Sequence, residues 1–369
     1  MAPDKCSQAD IRHMRTALSL GRRGQGQTWP NPAVGCVIVA RGHVVGRGWT
    51  QPGGRPHAEP QALARAGDAA RGATAYVTLE PCAHHGLTPP CTDALVASGV
   101  ARVVIACGDP DPRVAGRGIA ALRHAGITVD IGTLRDEAER DLAGFLGRIH
   151  RGRPEVLLKL AMSVDGRIAT SSGQSRWITG PGARRMVHAM RARHDAVMVG
   201  GGTVRADDPM LTVRGLGARQ QPVRVVVSRH LNLPLDGALA RSAGDVPLWL
   251  IHAADAPDAA IAAWKGRGAH LIACPADRAG LDMGAALQAL GAAGLTRVFC
   301  EGGGALAASL LKAQLADRLA IFGAGLALGA DARAGIAEMG IDDLTAAPRY
   351  QLEEMRAVGG DALMLWRRR

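Results

Sequence analysis

The sequence predicts two successive α/β domains, the first with three α/β/α layers. Three observations carry that expectation. The chain has 369 residues, enough for two domains. Apolar runs of strand length alternate with stretches of helical periodicity. A polar, basic, Gly/Pro-marked segment, Gly147 to Pro154, separates two such series. The boundary is placed there, giving domains 1–150 and 151–369. Hydrophobic residues make up 47% but aromatics only 3%, so aliphatic side chains must fill the cores.

Ile11, Met14, Ala17 and Leu18 share one helical face and open the chain with an amphipathic helix. Val34 to Val39 and His43 to Gly46 read as a hairpin around a glycine turn. A helix over Ala58 to Ala66, a strand over Tyr76 to Leu79, a helix over Thr92 to Ala97 and a strand over Val103 to Ala106 follow. In the second half, strands are expected at 156–160, 196–199, 223–227, 248–251 and 298–300, with helices between. No internal repeat or low-complexity tract is present.

The formal charge is +11 and all but four of the 44 basic residues are arginine. They are scattered rather than gathered into a tract, which argues against nucleic acid and suits a small phosphorylated molecule. The seven cysteines are an odd number in a long chain, as expected for reduced thiols, some free to bind metal. The N-terminal MAPDKCSQADIRHM lacks the apolar stretch of a signal peptide. No run of ~18 apolar residues exists, so no membrane helix and a cytoplasmic location are expected.

Chemistry concentrates first in His57-Ala58-Glu59, at the head of a helix, and in Pro81-Cys82 to Cys91, just after a strand. His57, Cys82 and Cys91 offer three zinc ligands, which leaves a fourth position for the water of a catalytic site. Cys91 begins a helix, whose dipole is expected to favour its thiolate. Glu59 can reach the water without binding metal and carry its proton to the ring and the leaving amine. This matches the zinc-deaminase signature H-x-E…P-C-x-x-C, except that eight residues separate the cysteines. A closed structural zinc site, completed by His84 or His85, is the competing reading, but it leaves Glu59 without a purpose. His84 and His85 read equally as solvated loop residues or substrate contacts.

Asn31-Pro32-Ala33-Val34-Gly35-Cys36, His57-Ala58-Glu59, Thr78-Leu79-Glu80-Pro81-Cys82, Gly86 to Cys91, Asp109-Pro110 and Val114 to Gly118 resemble the deaminase half of the bifunctional RibD family of riboflavin biosynthesis. The long loop between the cysteines, ending Thr-Pro-Pro-Cys, favours that family over cytidine or tRNA-adenosine deaminases. The resemblance implies a cytidine-deaminase-like fold, one zinc ion per chain, and a pyrimidine pocket lined by Asn31 and Glu80.

The second half has two glycine-rich segments, each after a strand: Gly200 to Arg214, and Glu301-Gly302-Gly303-Gly304-Ala305-Leu306-Ala307. Such segments let backbone N–H groups approach a pyrophosphate, or simply make a tight turn. No acidic residue stands at the ribose-binding spacing, so a Rossmann fold is not expected. Arg191 and Arg214 can fork a phosphate. The stretches Lys159 to Arg167, Ser175 to Thr179, Gly200 to Arg214 and Glu301 to Gly303 resemble the RibD reductase half, which implies a dihydrofolate-reductase-like fold. They also imply NADPH contacts at Ala161, Trp177, Thr203, Asp207 and the loop Gly303, Gly304, Ala305, Leu306, Ala307, Ala308 and Ser309. Substrate contacts are implied at Ser175, Arg191, Leu211, Arg214 and Glu301, with Lys159 orienting the sugar. Ser228-Arg229 stands where the family commonly has Asp-Ser, which makes Arg229 a candidate to meet an NADPH phosphate.

The resemblance covers nearly the whole chain. It implies hydrolytic deamination of 2,5-diamino-6-ribosylamino-4(3H)-pyrimidinone 5′-phosphate, then NADPH reduction of the ribosyl group to ribityl. It implies a homo-oligomer, dimer or tetramer, acting on small molecules. The alternative is a zinc nucleoside or tRNA deaminase with an accessory nucleotide- or RNA-binding domain. That domain would need aromatic stacking surfaces, and the chain has only two Tyr and three Phe.

Overall fold

The first helix, α1 (Gln8–Gly21), starts on a reciprocal cap in the computed structural model, which describes residues 7–217, 220–278 and 280–369. Asp10 N–H donates to Ser7 Oγ at 3.0 Å, and Ser7 N–H to the Asp10 carboxylate at 3.3 Å. Met14, Ala17 and Leu18 are buried and Ile11 half-buried, as their spacing requires. Lys5, Cys6 and the head of the segment read as lacking a signal peptide lie outside the described residues. The chain divides into two compact units, Met1–Gly152 and Arg153–Arg369.

In the first unit α1 is followed by β1 (Gly35–Ala40), β2 (His43–Trp49), α2 (Ala58–Ala66), β3 (Thr74–Val77), α3 (Cys91–Ser98), β4 (Arg102–Ile105), α4 (Arg117–His124), β5 (Thr128–Ile131), α5 (Arg135–Asp141) and α6 (Ala143–Arg151). The sheet order is β2-β1-β3-β4-β5. β1 is antiparallel to both neighbours, and β3, β4 and β5 are parallel. Helix α1 covers one face of β1 and α2 the other face of the β1–β2 hairpin, giving the expected three layers. The approach of α2 depends on Gly48, where a Cβ would stand 2.1 Å from the Ala58 carbonyl oxygen. That fit seats the start of α2, and with it His57 and Glu59, directly over the sheet. Met14, Leu18, Ile38, Leu95 and Ile105 fill the core, each contributing about 1.5–3 kcal/mol relative to exposure.

The strand expected over Tyr76 to Leu79 stops at Val77. Thr78 Oγ1 instead accepts the Gly35 N–H at 3.0 Å, and the chain turns so that Glu80 and Cys82 leave the ladder.

The second unit contains β6 (Glu155–Ser163), β7 (Arg167–Ala169), α7 (Pro181–Arg191), β8 (Ala196–Gly200), α8 (Gly201–Asp207), β9 (Val223–Val227), α9 (Ala238–Arg241), β10 (Leu248–Ala253), α10 (Asp258–Lys265), β11 (His270–Cys274), β12 (Ala276–Asp277), β13 (Gly280–Leu281), α11 (Met283–Ala292), β14 (Arg297–Cys300), α12 (Gly304–Lys312), β15 (Arg318–Ala324), β16 (Arg333–Ala334), β17 (Tyr350–Val358) and β18 (Asp361–Arg368). Nine strands form one sheet, ordered β11-β10-β9-β8-β14-β6-β15-β18-β17. The strands from β11 to β15 run parallel, and the β17–β18 hairpin closes that edge antiparallel. In such a sheet ligands bind beyond the carboxyl ends of the strands. Helix α7 lays Ala183, Met186, Val187 and Met190 against Leu157, Phe299, Phe322 and Leu363. Arg191 falls beside that stripe, at the edge of the core. Among the described residues no helix is long and apolar enough to cross a membrane.

Candidate active sites

In the first unit, three separate elements bring His57, Cys82 and Cys91 together. His57 is the extended residue before α2, Cys82 follows β3, and Cys91 is the first residue of α3. Their ligand atoms all lie within 4.8 Å of one another. His57 Nδ1 is 3.3 Å from Cys91 Sγ and 3.7 Å from Cys82 Sγ. One imidazole and two sulfurs are a donor set that zinc favours. Among the described residues neither His84 nor His85 joins this cluster. Both instead line the adjoining cavity, where the buried Nδ1 of His84 has no partner.

With no metal between them the two thiols share a hydrogen bond, and that bond to Cys82, with burial, pushes the Cys91 thiol up. Cys82 is lowered, first by the hydrogen bond from Cys91 and also by His57. The geometric reason is that the helix-start N–H of Cys91 points at Cys82 Sγ, 3.4 Å away. The favourable end of the dipole therefore serves the neighbouring sulfur.

Glu59 is 3% exposed, and burial raises its pKa despite the opposing pull of His57. It opens, with His57 and Cys82, onto a cavity of about 650 Å³. Asn31 lines the same cavity, with its amide 3.5 Å from the Gly54 carbonyl oxygen. Glu80 lines it too, but its carboxylate is already engaged. Oε1 accepts the N–H groups of Gly118 and Ile119 at 2.9 and 3.2 Å, and Oε2 those of Gly116 and Asp109 at 3.2 and 3.3 Å. Sequence reasoning did not assign Arg55 or Asp109, which also face the cavity. Arg55 donates to the Thr88 hydroxyl. Burial pushes Asp109 up to about 6, with the charges of Asp111 and Glu80 adding to the effect.

In the second unit the two glycine-rich segments are neighbours, because β8 pairs with β14. Gly200 N–H donates to the Gly302 carbonyl oxygen and Gly303 N–H to Thr203 Oγ1, both at 3.0 Å. The expected loop over Gly303 to Ser309 is, from Gly304 on, the opening of α12, with Leu306, Ala307 and Ala308 buried. Only the first turn's N–H groups lack partners within the helix, so they are what a pyrophosphate could use. Gly304 also admits the chain near Ala334, whose carbonyl oxygen a Cβ there would meet at 2.9 Å.

Lys159 projects from β6 among Glu301, Arg191 and Asp207, and burial lowers its ammonium pKa. Arg191 and Glu301 form a doubly hydrogen-bonded pair at 2.5 and 3.0 Å, each side chain 11% exposed. Arg191 also donates to the Thr212 carbonyl oxygen at 2.8 Å. Much of its fork is therefore committed within the protein. Arg214 is exposed. Leu211 is buried, leaving its backbone as the part that can meet a ligand. Ser175 is half-buried, and Trp177 is 69% exposed with Arg184 stacked 4.5 Å from its ring centroid. Arg176 ties their segment to the Asp207 carbonyl oxygen at 2.7 Å. Ala161 and Thr203 are half-buried at the carboxyl side of β6 and in α8. Arg229 follows β9 and donates to the Asp277 carbonyl oxygen at 2.5 Å, with Asp255 at 3.7 Å. His188, which sequence reasoning missed, accepts the Arg214 N–H at Nδ1 at 3.2 Å. Its place three residues before Arg191 on one helix face was the available signal.

Comparison with known proteins decides the family. The model of the RibD C-terminal domain matches residues 154–364, and that of the cytidine and deoxycytidylate deaminase zinc-binding region matches residues 7–107. The riboflavin biosynthesis protein RibD of Escherichia coli K12 is 42% identical, over 96% of this chain and 98% of its own length. The chain belongs to the RibD family. The RibD of Haemophilus influenzae is 41% identical, over 96% of both chains. A solved structure of Acinetobacter baumannii RibD superposes with a TM-score of 0.88 at 37% identity, covering 98% of this chain and 99% of its own. The deaminase/reductase structure from Thermotoga maritima gives a TM-score of 0.84 at 32% identity, covering 97% and 98%. As a RibD, the chain is a bifunctional deaminase and reductase of riboflavin biosynthesis. The main reading thus stands over that of a nucleoside or tRNA deaminase with an accessory domain.

Proposed function

We propose that domain 1–150 is the deaminase and domain 151–369 the reductase, acting in turn on one pyrimidine ribosyl phosphate. The observation that carries this reading is the convergence of His57, Cys82 and Cys91 within 4.8 Å beside buried Glu59. His57, Cys82 and Cys91 hold one zinc ion per chain. When bound, the metal supplies Lewis acidity that makes water nucleophilic at neutral pH. Glu59 takes one proton from the attacking water and delivers it to the ring nitrogen, then carries the water's second proton to the departing amine, which leaves as ammonia. Asn31 orients the pyrimidine. Glu80 acts through the 109–119 segment that its carboxylate organises.

In the reductase, NADPH supplies a hydride to the sugar carbon when bound. Thr203 and Asp207 on α8, Ala161, Trp177 and the opening of α12 hold the cofactor. Arg214 binds the substrate phosphate, with Ser175 and the Leu211 backbone alongside. The Arg191–Glu301 pair shapes the pocket and fixes Lys159 near the sugar. The protein contributes binding and orientation here, and needs no nucleophile. The chain assembles as a homo-oligomer, dimer or tetramer.

The test is incubation with the diaminopyrimidinone ribosylamino phosphate, following ammonia release and NADPH absorbance separately. Ammonia should appear without NADPH, and NADPH oxidation should follow only once deaminated product has formed. NADPH oxidation on the amino substrate without ammonia release would refute this order.

A further inference from the structure

Helix α7 is stapled to the segment that carries Arg214. His188 and Arg191 lie three residues apart and so share a helix face. Arg191 donates to the Thr212 carbonyl oxygen at 2.8 Å, and the Arg214 N–H donates to His188 Nδ1 at 3.2 Å. The two contacts grip the chain on either side of Val213. A backbone N–H can only donate, so Nδ1 must present its lone pair, and the ring is neutral with its proton on Nε2. The charged groups facing His188 are Arg191 on its own helix, Arg214 on the segment and Glu301 beyond β14. Burial, then Arg191 and Arg214, hold the imidazole below its ordinary pKa of 6.5, against the pull of Glu301 and of a hydrogen bond to the Thr212 backbone.

We propose that His188 is a positioning residue of the reductase site: its neutral ring fixes the Arg214 backbone so that the guanidinium is presented to the substrate phosphate. This rests on the reading of Arg214 as the phosphate ligand. Protonation of His188 removes the acceptor of the Arg214 N–H, although the contacts at Thr212 remain, so Arg214 is held less firmly and reductase affinity for substrate falls on the acid side of pH 6.5. A cationic ring that merely attracted the phosphate would give the opposite trend.

The test uses the full chain, with KM and kcat for the deaminated substrate and Kd for NADPH measured between about pH 5 and 8. His188→Leu removes the acceptor and should raise KM about three- to ten-fold, the worth of one hydrogen bond, with NADPH Kd unchanged. His188→Asn supplies a non-titrating acceptor. It should restore KM at neutral pH and keep only the acid response of the substrate phosphate itself, which titrates near pH ~6. Arg214→Ala is the control for the underlying reading. If it raises KM while His188→Leu does not, the His188 proposal fails alone; if Arg214→Ala leaves KM unchanged, both fail. Identical pH profiles for the wild type and His188→Asn would also overturn the proposal, and that comparison stands even if His188→Leu does not fold.

Discussion

Glu301 receives Arg191 at two points: Nε reaches Oε1 at 2.5 Å and Nη2 reaches Oε2 at 3.0 Å. Both side chains are 11% exposed, so neither charge has much water to fall back on. Burial alone would raise the Glu301 carboxyl, yet the Arg191 charge and hydrogen bonds, with Lys159, hold it below the ordinary value of 4.5. Arg191→Ala should therefore unfold the second unit more readily, by about 3–5 kcal/mol, because it strands a buried carboxylate. Arg214→Ala, on an exposed residue, should leave stability within about 0.5 kcal/mol and raise substrate KM about ten- to a hundred-fold. Denaturant titration and reductase kinetics on the two variants check this split. Equal stability losses would mean that the pair contributes nothing special.

Glu80 predicts a different phenotype. All four of its backbone contacts are N–H donors. In Glu80→Gln the side-chain amide nitrogen would face two of them, leaving donors opposed. The variant should lose about 1–3 kcal/mol of stability and lower deaminase activity while keeping zinc. Metal analysis with thermal unfolding measures both. Unchanged stability would show that the carboxylate does not organise the 109–119 segment.

Much of this was legible in the chain, for physical reasons. Gly35–Ala40, inside the apolar run expected from Val34, and Val223–Val227 are largely buried strands, so their apolar runs stand out, and Ala58–Ala66 is helical over the expected span. The edge strand β17, with Glu353, Glu354 and Arg356 among its exposed residues, carries no such signal because no core selects its side chains. The His57, Cys82 and Cys91 cluster was legible because a metal site restricts residue types. The convergence of Lys159, Arg191 and Glu301 was not, since it is created by the neighbouring places of β6 and β14 in the sheet and the packing of α7. Nor was the satisfaction of Glu80, whose partners are backbone groups that any sequence supplies.

Zinc content separates an open site from a closed one. Cys82→Ala and Cys91→Ala should each lose the metal, whereas His84→Ala and His85→Ala should retain it, because neither histidine joins the three-ligand cluster. Metal analysis of the four purified variants decides. Loss of zinc from a histidine variant would indicate a closed, structural site.

The first unit has its own sheet and core, and every residue lining the deaminase cavity belongs to it. A fragment ending near Arg151 should therefore deaminate without NADPH. A folded, zinc-loaded fragment without activity would show that the site needs residues from beyond it.

The central claim is that Glu59 moves protons at a zinc site whose chemistry is separate from the hydride step. Glu59→Gln tests it most directly, with zinc content, ammonia release and NADPH oxidation measured on one preparation. Zinc should remain, ammonia release should fall at least ~10²-fold, and reduction of supplied deaminated substrate should persist. Ammonia release at the wild-type rate would contradict the account.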